Sequence, residues 1–232
     1  ARLPVAAEDA ASIVEGIGLF GDARYLTARA DLAIELRNGS KSRTLDVFVR
    51  REERRTSVLV QVAAPAFLTE MKLLSVREAG GDESTWLKTS QGVRRLTDAS
   101  SAERVFDSDF TADDFMGVTA RRFSLSLLPD TVVDGVACRV VEARPRASAG
   151  YARKVLYVAA GSRELRGMDI FAAEGTLIRR YRLLETQLVA GQVFPRRARV
   201  EDLRGGTASV LTVATLDVET PLPDRLFSRG NL

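Results

Sequence analysis

No histidine occurs anywhere in the 232 residues. That absence removes Ser-His-Asp and Cys-His catalysis, and every metal site whose ligand set includes an imidazole. Cysteine occurs once, as Cys138, so no internal disulfide can form. Its neighbours Ala137, Val140 and Val141 mark it as a structural residue buried in a strand rather than a reactive thiol. The one tryptophan, Trp86, offers no stacking platform for sugars or single-stranded nucleic acid. No uninterrupted apolar run approaches the roughly 18 residues of a membrane-crossing helix, and Ala1-Arg2-Leu3-Pro4 lacks the basic and apolar regions of a signal peptide. A soluble chain is expected.

Lysine is scarce too. Lys41, Lys72, Lys88 and Lys154 are the only four, so arginine supplies the other 30 of 34 basic side chains; 31 acidic residues leave a net charge of +3. This near balance is no nucleic-acid footprint. The pairs Arg94-Arg95, Arg121-Arg122, Arg179-Arg180 and Arg196-Arg197 fall among strands, where neighbours point to opposite faces. They read as solvated or salt-bridging groups, with anionic lipid or a partner protein as the other reading.

Hydropathy changes period along the chain. Ile13, Val14, Ile17 and Phe20 recur at helical spacing, with Glu8 and Asp9 at the positive end of the dipole, and predict an amphipathic helix through residues 13–20. From about Asp31 the period becomes two. Leu32, Ile34 and Leu36 share one face, as do Leu45, Val47 and Val49, then Val58, Val60 and Val62. Further strands are predicted over 72–77, 85–89, 122–128, 139–144, 154–159, 166–171, 176–184, 196–203 and 208–218. Turn signals separate them, among them Asn38-Gly39-Ser40, Gly80-Gly81-Asp82, Asp134-Gly135 and Ala190-Gly191. The reading is a single domain, 1–232, built on one large curled antiparallel meander. Residues 97–117 break the pattern and predict a loop and a short helix, with Thr111 as N-cap and Asp114 completing a capping box.

Three motifs invite chemistry. Gly16-Ile17-Gly18-Leu19-Phe20-Gly21 matches the dinucleotide fingerprint, but a helix precedes it and a strand follows, the reverse of what pyrophosphate binding needs. Asp107, Asp109, Asp113 and Asp114 crowd carboxylates together without the spacing of an EF-hand loop. Capping and a solvated polar face account for most of them, and a calcium or acid/base site is the alternative. Phe110, Phe115 and Met116 place bulky apolar groups on an acidic element, as core anchors or as a lid over an apolar cavity. No metal, nucleotide or other cofactor is expected.

Several stretches, in order, carry a family resemblance: Val93-Arg94-Arg95-Leu96, then Ser108-Asp109-Phe110-Thr111-Ala112-Asp113-Asp114-Phe115, which follows the pattern S-D-F-[ST]-x-x-D plus an apolar residue. Asp134-Gly135, Phe194-Pro195-Arg196 and Leu222-Pro223-Asp224-Arg225-Leu226-Phe227-Ser228 continue it, the last close to L-P-D-x-L-F. The sequence resembles the outer-membrane lipoprotein-sorting, LolA-like carriers from about residue 60 to the end. That resemblance implies an α+β fold: an incomplete β-barrel curled around a hydrophobic cavity that helices cover. It also implies a Gram-negative periplasmic location, a lipid or lipoprotein acyl chain as cargo carried between inner and outer membranes, no enzymatic activity, and an inner-membrane RND or MMPL-type transporter as partner. Leu32, Ile34, Leu36, Leu45, Val47, Val49, Val58, Val60 and Val62 are the expected cavity wall, closed over by Phe110, Phe115 and Met116. The alternatives are an adaptor module with a filled core, and a carboxylate-dependent hydrolase using the aspartate cluster.

Overall fold

In the computed structural model, residues 9–15, 17–79 and 83–232 are described. Glu8, Gly16 and the turn Gly80-Gly81-Asp82 lie outside them. Alternation of apolar and polar residues produces thirteen strands among the described residues. The first six are β1 (Tyr25–Leu36), β2 (Gly39–Glu52), β3 (Arg55–Ala64), β4 (Lys72–Glu78), β5 (Glu83–Thr89) and β6 (Gly92–Leu96). The next seven are β7 (Phe123–Val133), β8 (Val136–Pro145), β9 (Arg153–Ala159), β10 (Leu165–Phe171), β11 (Leu177–Val189), β12 (Gln192–Asp202) and β13 (Thr207–Asp217).

All pair antiparallel in one sheet, ordered β6-β5-β4-β3-β2-β1-β13-β12-β11-β10-β9-β8-β7. Two meanders are therefore welded where β1 meets β13, in register from Thr27 opposite Asp217 to Glu35 opposite Ala208. β6 and β7 are left as the free edges of an unclosed barrel. Tight turns set the registers: Asp134 and Gly135, at φ 49° and 79°, adopt the left-handed backbone that a two-residue hairpin requires. Bulges interrupt the ladder at Arg29/Ala30 in β1 and Thr44/Leu45 in β2, adding the local bend that a curled sheet needs.

Two short helices lie on the concave face. α1 (Ala10–Val14) is capped by Asp9, whose side chain accepts from the Ser12 amide. It ends well before Phe20, so the helix predicted over 13–20 is cut short. Ile17, Leu19 and Phe20 still pack into the core, but as an irregular segment that Gly18 and Gly21 keep out of helical geometry. Gly21 sits at φ 78°, and a Cβ there would lie 2.8 Å from Phe194 Cδ1. α2 (Ala112–Met116) has Thr111 as N-cap in a capping box with Asp114, as the sequence predicts. β6, unforeseen, shows only one inward residue, Leu96, behind four exposed ones, too little alternation to read.

On the convex side a second apolar cluster joins Leu59, Leu74, Val76 and Phe227, with Trp86, Leu222 and Leu226 against it. The terminal 222–228 motif is thus a patch over β3–β5. Phe227→Ala should cost about 3 kcal/mol, lowering the melting temperature by roughly 6–12 °C and red-shifting Trp86 emission. An unchanged melting temperature would show that the patch contributes nothing.

Candidate functional site

The concave face of the sheet is a continuous apolar wall. Leu32 and Ile34 of β1, Leu45, Val47 and Val49 of β2, and Val60 and Val62 of β3 are all buried in one core cluster, with Val58 packed against it at partial burial. Leu36 shares their parity, but at the end of β1 it is 37% exposed. Phe110 and Phe115 are buried in the same cluster and Met116 packs against it. Phe115 is a hub: its ring stacks with Phe20 at 6.1 Å, meets Phe106 edge-on at 6.0 Å and tilts against Phe110 at 6.0 Å. One aromatic knot therefore ties the N-terminal segment to the β6–β7 connection. Those two segments together form a cover over the wall.

A crossing segment on an apolar wall must satisfy its polar groups there. The aspartates do this, and the expectation of a solvated acidic face is overturned: Asp109, Asp113 and Asp114 are all buried. Only Asp107 keeps an exposed side chain, paired with Arg43 at 3.2 Å. Asp113, 1% exposed, accepts from Arg122 Nη2 at 2.5 Å and Tyr151 Oη at 2.5 Å, and is ion-paired with Lys154, itself 1% exposed. Asp114 pairs with Arg179 and accepts from the Thr111 amide at 2.8 Å. Asp109 accepts from Thr207 Oγ1 at 2.6 Å and Ser209 Oγ at 2.7 Å, with Arg104 at 3.3 Å.

Each carboxylate thus faces at least one cation, and among the described residues none converge in a metal-holding group. Burial alone would raise the Asp113 pKa, but Lys154 and Arg122, with hydrogen bonds from Lys154 and Tyr151, hold it well below the ordinary 3.8. Conversely, burial and the Asp113 charge push the Tyr151 hydroxyl far upward.

Sequence reasoning missed Lys154, Arg122, Arg179 and Tyr151 as members of this cluster. The one available signal was Lys154 itself, a rare lysine inside an apolar strand. Of the arginine pairs, Arg94, Arg196 and Arg197 do form exposed salt bridges, with Glu103 and Glu185. Cys138 is buried, and burial raises its thiol pKa.

Little empty space remains beneath the cover. One cavity of about 20 Å³ lies among Ile17, Gly18, Leu156 and Met168, and another of about 30 Å³ among Ile17, Gly18, Val58, Phe115 and Met116. Two open clefts flank the N-terminal segment outside: about 460 Å³ between α1, the β2–β3 turn and residues 118–121, and about 380 Å³ toward the β9–β10 and β11–β12 turns. Ile17 and Gly18 lie between these spaces, and Gly117 of the second covering segment packs against the Ile17 carbonyl. Arg163 fixes the other side of α1, donating to the carbonyls of Ser12 at 2.8 Å and Glu15 at 3.1 Å.

Residues 54–232 match a family model described as "Uncharacterized protein". No curated protein matches the sequence. Solved structures share the architecture. A DUF1329 family protein from Desulfovibrio piger is 20% identical over 90% of this chain and 92% of its own, with a TM-score of 0.79. A domain from Vibrio parahaemolyticus described as an outer membrane lipoprotein-sorting protein is 16% identical over 95% and 93%, TM-score 0.81. A LolA superfamily protein from Nitrosomonas europaea is 19% identical over 97% and 100%, TM-score 0.75. The fold expected from the motifs is the fold observed.

Asp113→Asn leaves Lys154 buried without its counter-charge and Arg122 with Asp98 alone, and should cost about 3–5 kcal/mol at neutral pH. Because the folded-state pKa of Asp113 is depressed, its contribution is full above the unfolded value near 3.8 and is lost as pH falls below it. Wild type should therefore lose more stability than Asp113→Asn between pH 6 and pH 3 in denaturant titrations. Parallel curves would remove Asp113 from the acid limb.

Proposed function

The chain belongs to that family of uncharacterized proteins and has the LolA-like fold, and from this premise we propose that it is a non-enzymatic periplasmic carrier. It takes an acyl chain of a lipoprotein or another lipid against the concave wall and moves it between the inner and outer membranes of a Gram-negative cell. One observation carries the reading: the apolar wall is closed by two irregular segments rather than by strands, so the cover can leave without breaking the sheet. Cover and cargo then compete for one surface. About 14 methylenes at about 0.8 kcal/mol each offer roughly 11 kcal/mol before association costs, enough to displace a few side chains and still be released.

A second reading is favoured by the small cavities: an adaptor with a permanently filled chamber, docked to an RND or MMPL-type transporter. The two readings part on a substitution in the aromatic knot. Phe115→Ala should cost about 3 kcal/mol, yet it should tighten the binding of a fluorescent fatty acid because the wall is then partly uncovered. An adaptor would lose the same stability and bind nothing. The carrier reading is abandoned if neither wild type nor Phe115→Ala binds acyl probes or lipids extracted from bacteria.

A further inference from the structure

Two guanidinium groups beside the cover have too few partners. Arg51, near the end of β2, donates from Nη1 to the Ala23 carbonyl at 2.8 Å. Its carboxylate neighbour Asp22 stands off at 3.8 Å, beyond hydrogen-bonding reach. Arg77, in β4, makes one long bond of 3.5 Å to the Met116 carbonyl. A guanidinium carries five N–H donors in a rigid fork, so most of this donor capacity meets no acceptor among the described residues. Glu83 stands opposite Arg77 across β4–β5 and the two charges attract, but no hydrogen bond joins them and Glu83 Oε2 has no hydrogen-bond partner, so the donors of the fork stay open.

Placement makes the shortage meaningful. Arg51 has a side chain only 16% exposed, and both arginines line the open cleft of about 460 Å³ and the inner cavity of about 30 Å³. The two like charges thus border both spaces. Burial pushes the Arg51 pKa below its ordinary value; the Asp22 charge opposes that fall and the Arg77 charge adds to it. Elsewhere the buried or half-buried cations are matched: Arg122 and Lys154 by Asp113, Arg179 by Asp114. Val14 and Val118 supply an apolar side to the same cleft, and of the glutamates that also line it Glu52 and Glu78 are taken up by Arg50 and Arg55. Cationic forks beside an apolar wall suit a ligand with an oxyanion at one end and hydrocarbon at the other.

We propose that Arg51 and Arg77 form a phosphate-binding site at the mouth of the chamber, which receives the head group of an anionic amphiphile whose chain lies beneath the cover. This deepens the carrier reading and rests on it for the chain, though not for the phosphate.

Calorimetric titration with three probes separates the parts: palmitoyl lysophosphatidic acid, monopalmitoylglycerol with the same chain and a neutral head, and glycerol 3-phosphate with no chain. The phosphate-bearing amphiphile should bind about tenfold or more tightly than the neutral one. Arg77→Gln should erase that preference, bringing the two amphiphiles to equal affinity. Raising sodium chloride from about 50 to about 500 mM should erode the preference in wild type, a measurement that stands even where the variant does not fold.

Equal wild-type affinities for the two amphiphiles, or a preference that survives Arg77→Gln or high salt, overturn the head-group site and leave the carrier intact. Binding of glycerol 3-phosphate that needs Arg77, without binding of either amphiphile, keeps the phosphate site and overturns the carrier. No binding of any probe overturns both.

Discussion

The Asp113 carboxylate, held between Lys154, Arg122 and Tyr151, decides how the rest of the molecule is arranged. A sheet with an apolar inner face and two free edges must be covered, and the covering chain has to cross a wall that offers its backbone and charges almost nothing. The solution is a set of buried ion pairs and hydrogen bonds. Asp113 is met from β9 and the entry to β7, Asp114 from β11, and Asp109 from β13. The resulting attachment is lopsided. Toward β3 and β4 the same cover rests on apolar contacts and the single long bond from Arg77.

This lopsidedness bears on how a packed interior can also be a binding site. Removing one partner of a buried ion pair costs several kcal/mol, whereas sliding a phenyl ring along an apolar wall exchanges one set of dispersion contacts for another. Movement of the cover is therefore cheapest on the side of β3–β4, beyond the Arg43–Asp107 pair on β2, about a fixed line along β9, β11 and β13. Small cavities in the closed state and a substantial apolar capacity in an opened one are compatible under that geometry. A rigid lid with ion pairs on both sides would allow only one of them.

Much of the sheet was legible because period-two alternation and left-handed turns are local properties. The strands predicted over 72–77, 154–159 and 208–218 each coincide with an observed strand to within a residue or two. The capping box at Thr111 and Asp114 is likewise local. The predicted helix over 13–20 failed for a related reason: Ile13, Val14, Ile17 and Phe20 do all face the core, but facing the core is what periodicity reports, and the glycines permit it without a helix. The buried carboxylates were illegible because their partners lie far along the chain. Arg179 is 65 residues from Asp114, and Ser209 is 100 from Asp109. A cluster of acids without its distant cations looks solvated.

Arginine distribution completes the argument about where the cover opens. Along the outer face, arginines are neutralised by carboxylates on nearby strands, Arg29 by Asp46 on the adjacent strand and Arg199 by Glu35 two strands away, so the small net positive charge conveys little about any surface. Arg51 and Arg77, whose guanidinium donors are only sparsely bonded, sit instead against Gly18, Ala23 and Met116 of the cover. An oxyanion placed beside these two like charges would relieve their mutual repulsion. The same displacement that uncovers the apolar wall widens access to the guanidinium forks. Hydrocarbon and charge recognition are thereby coupled through one short segment, residues 17–23, whose own backbone is held by neither helix nor sheet until β1 begins.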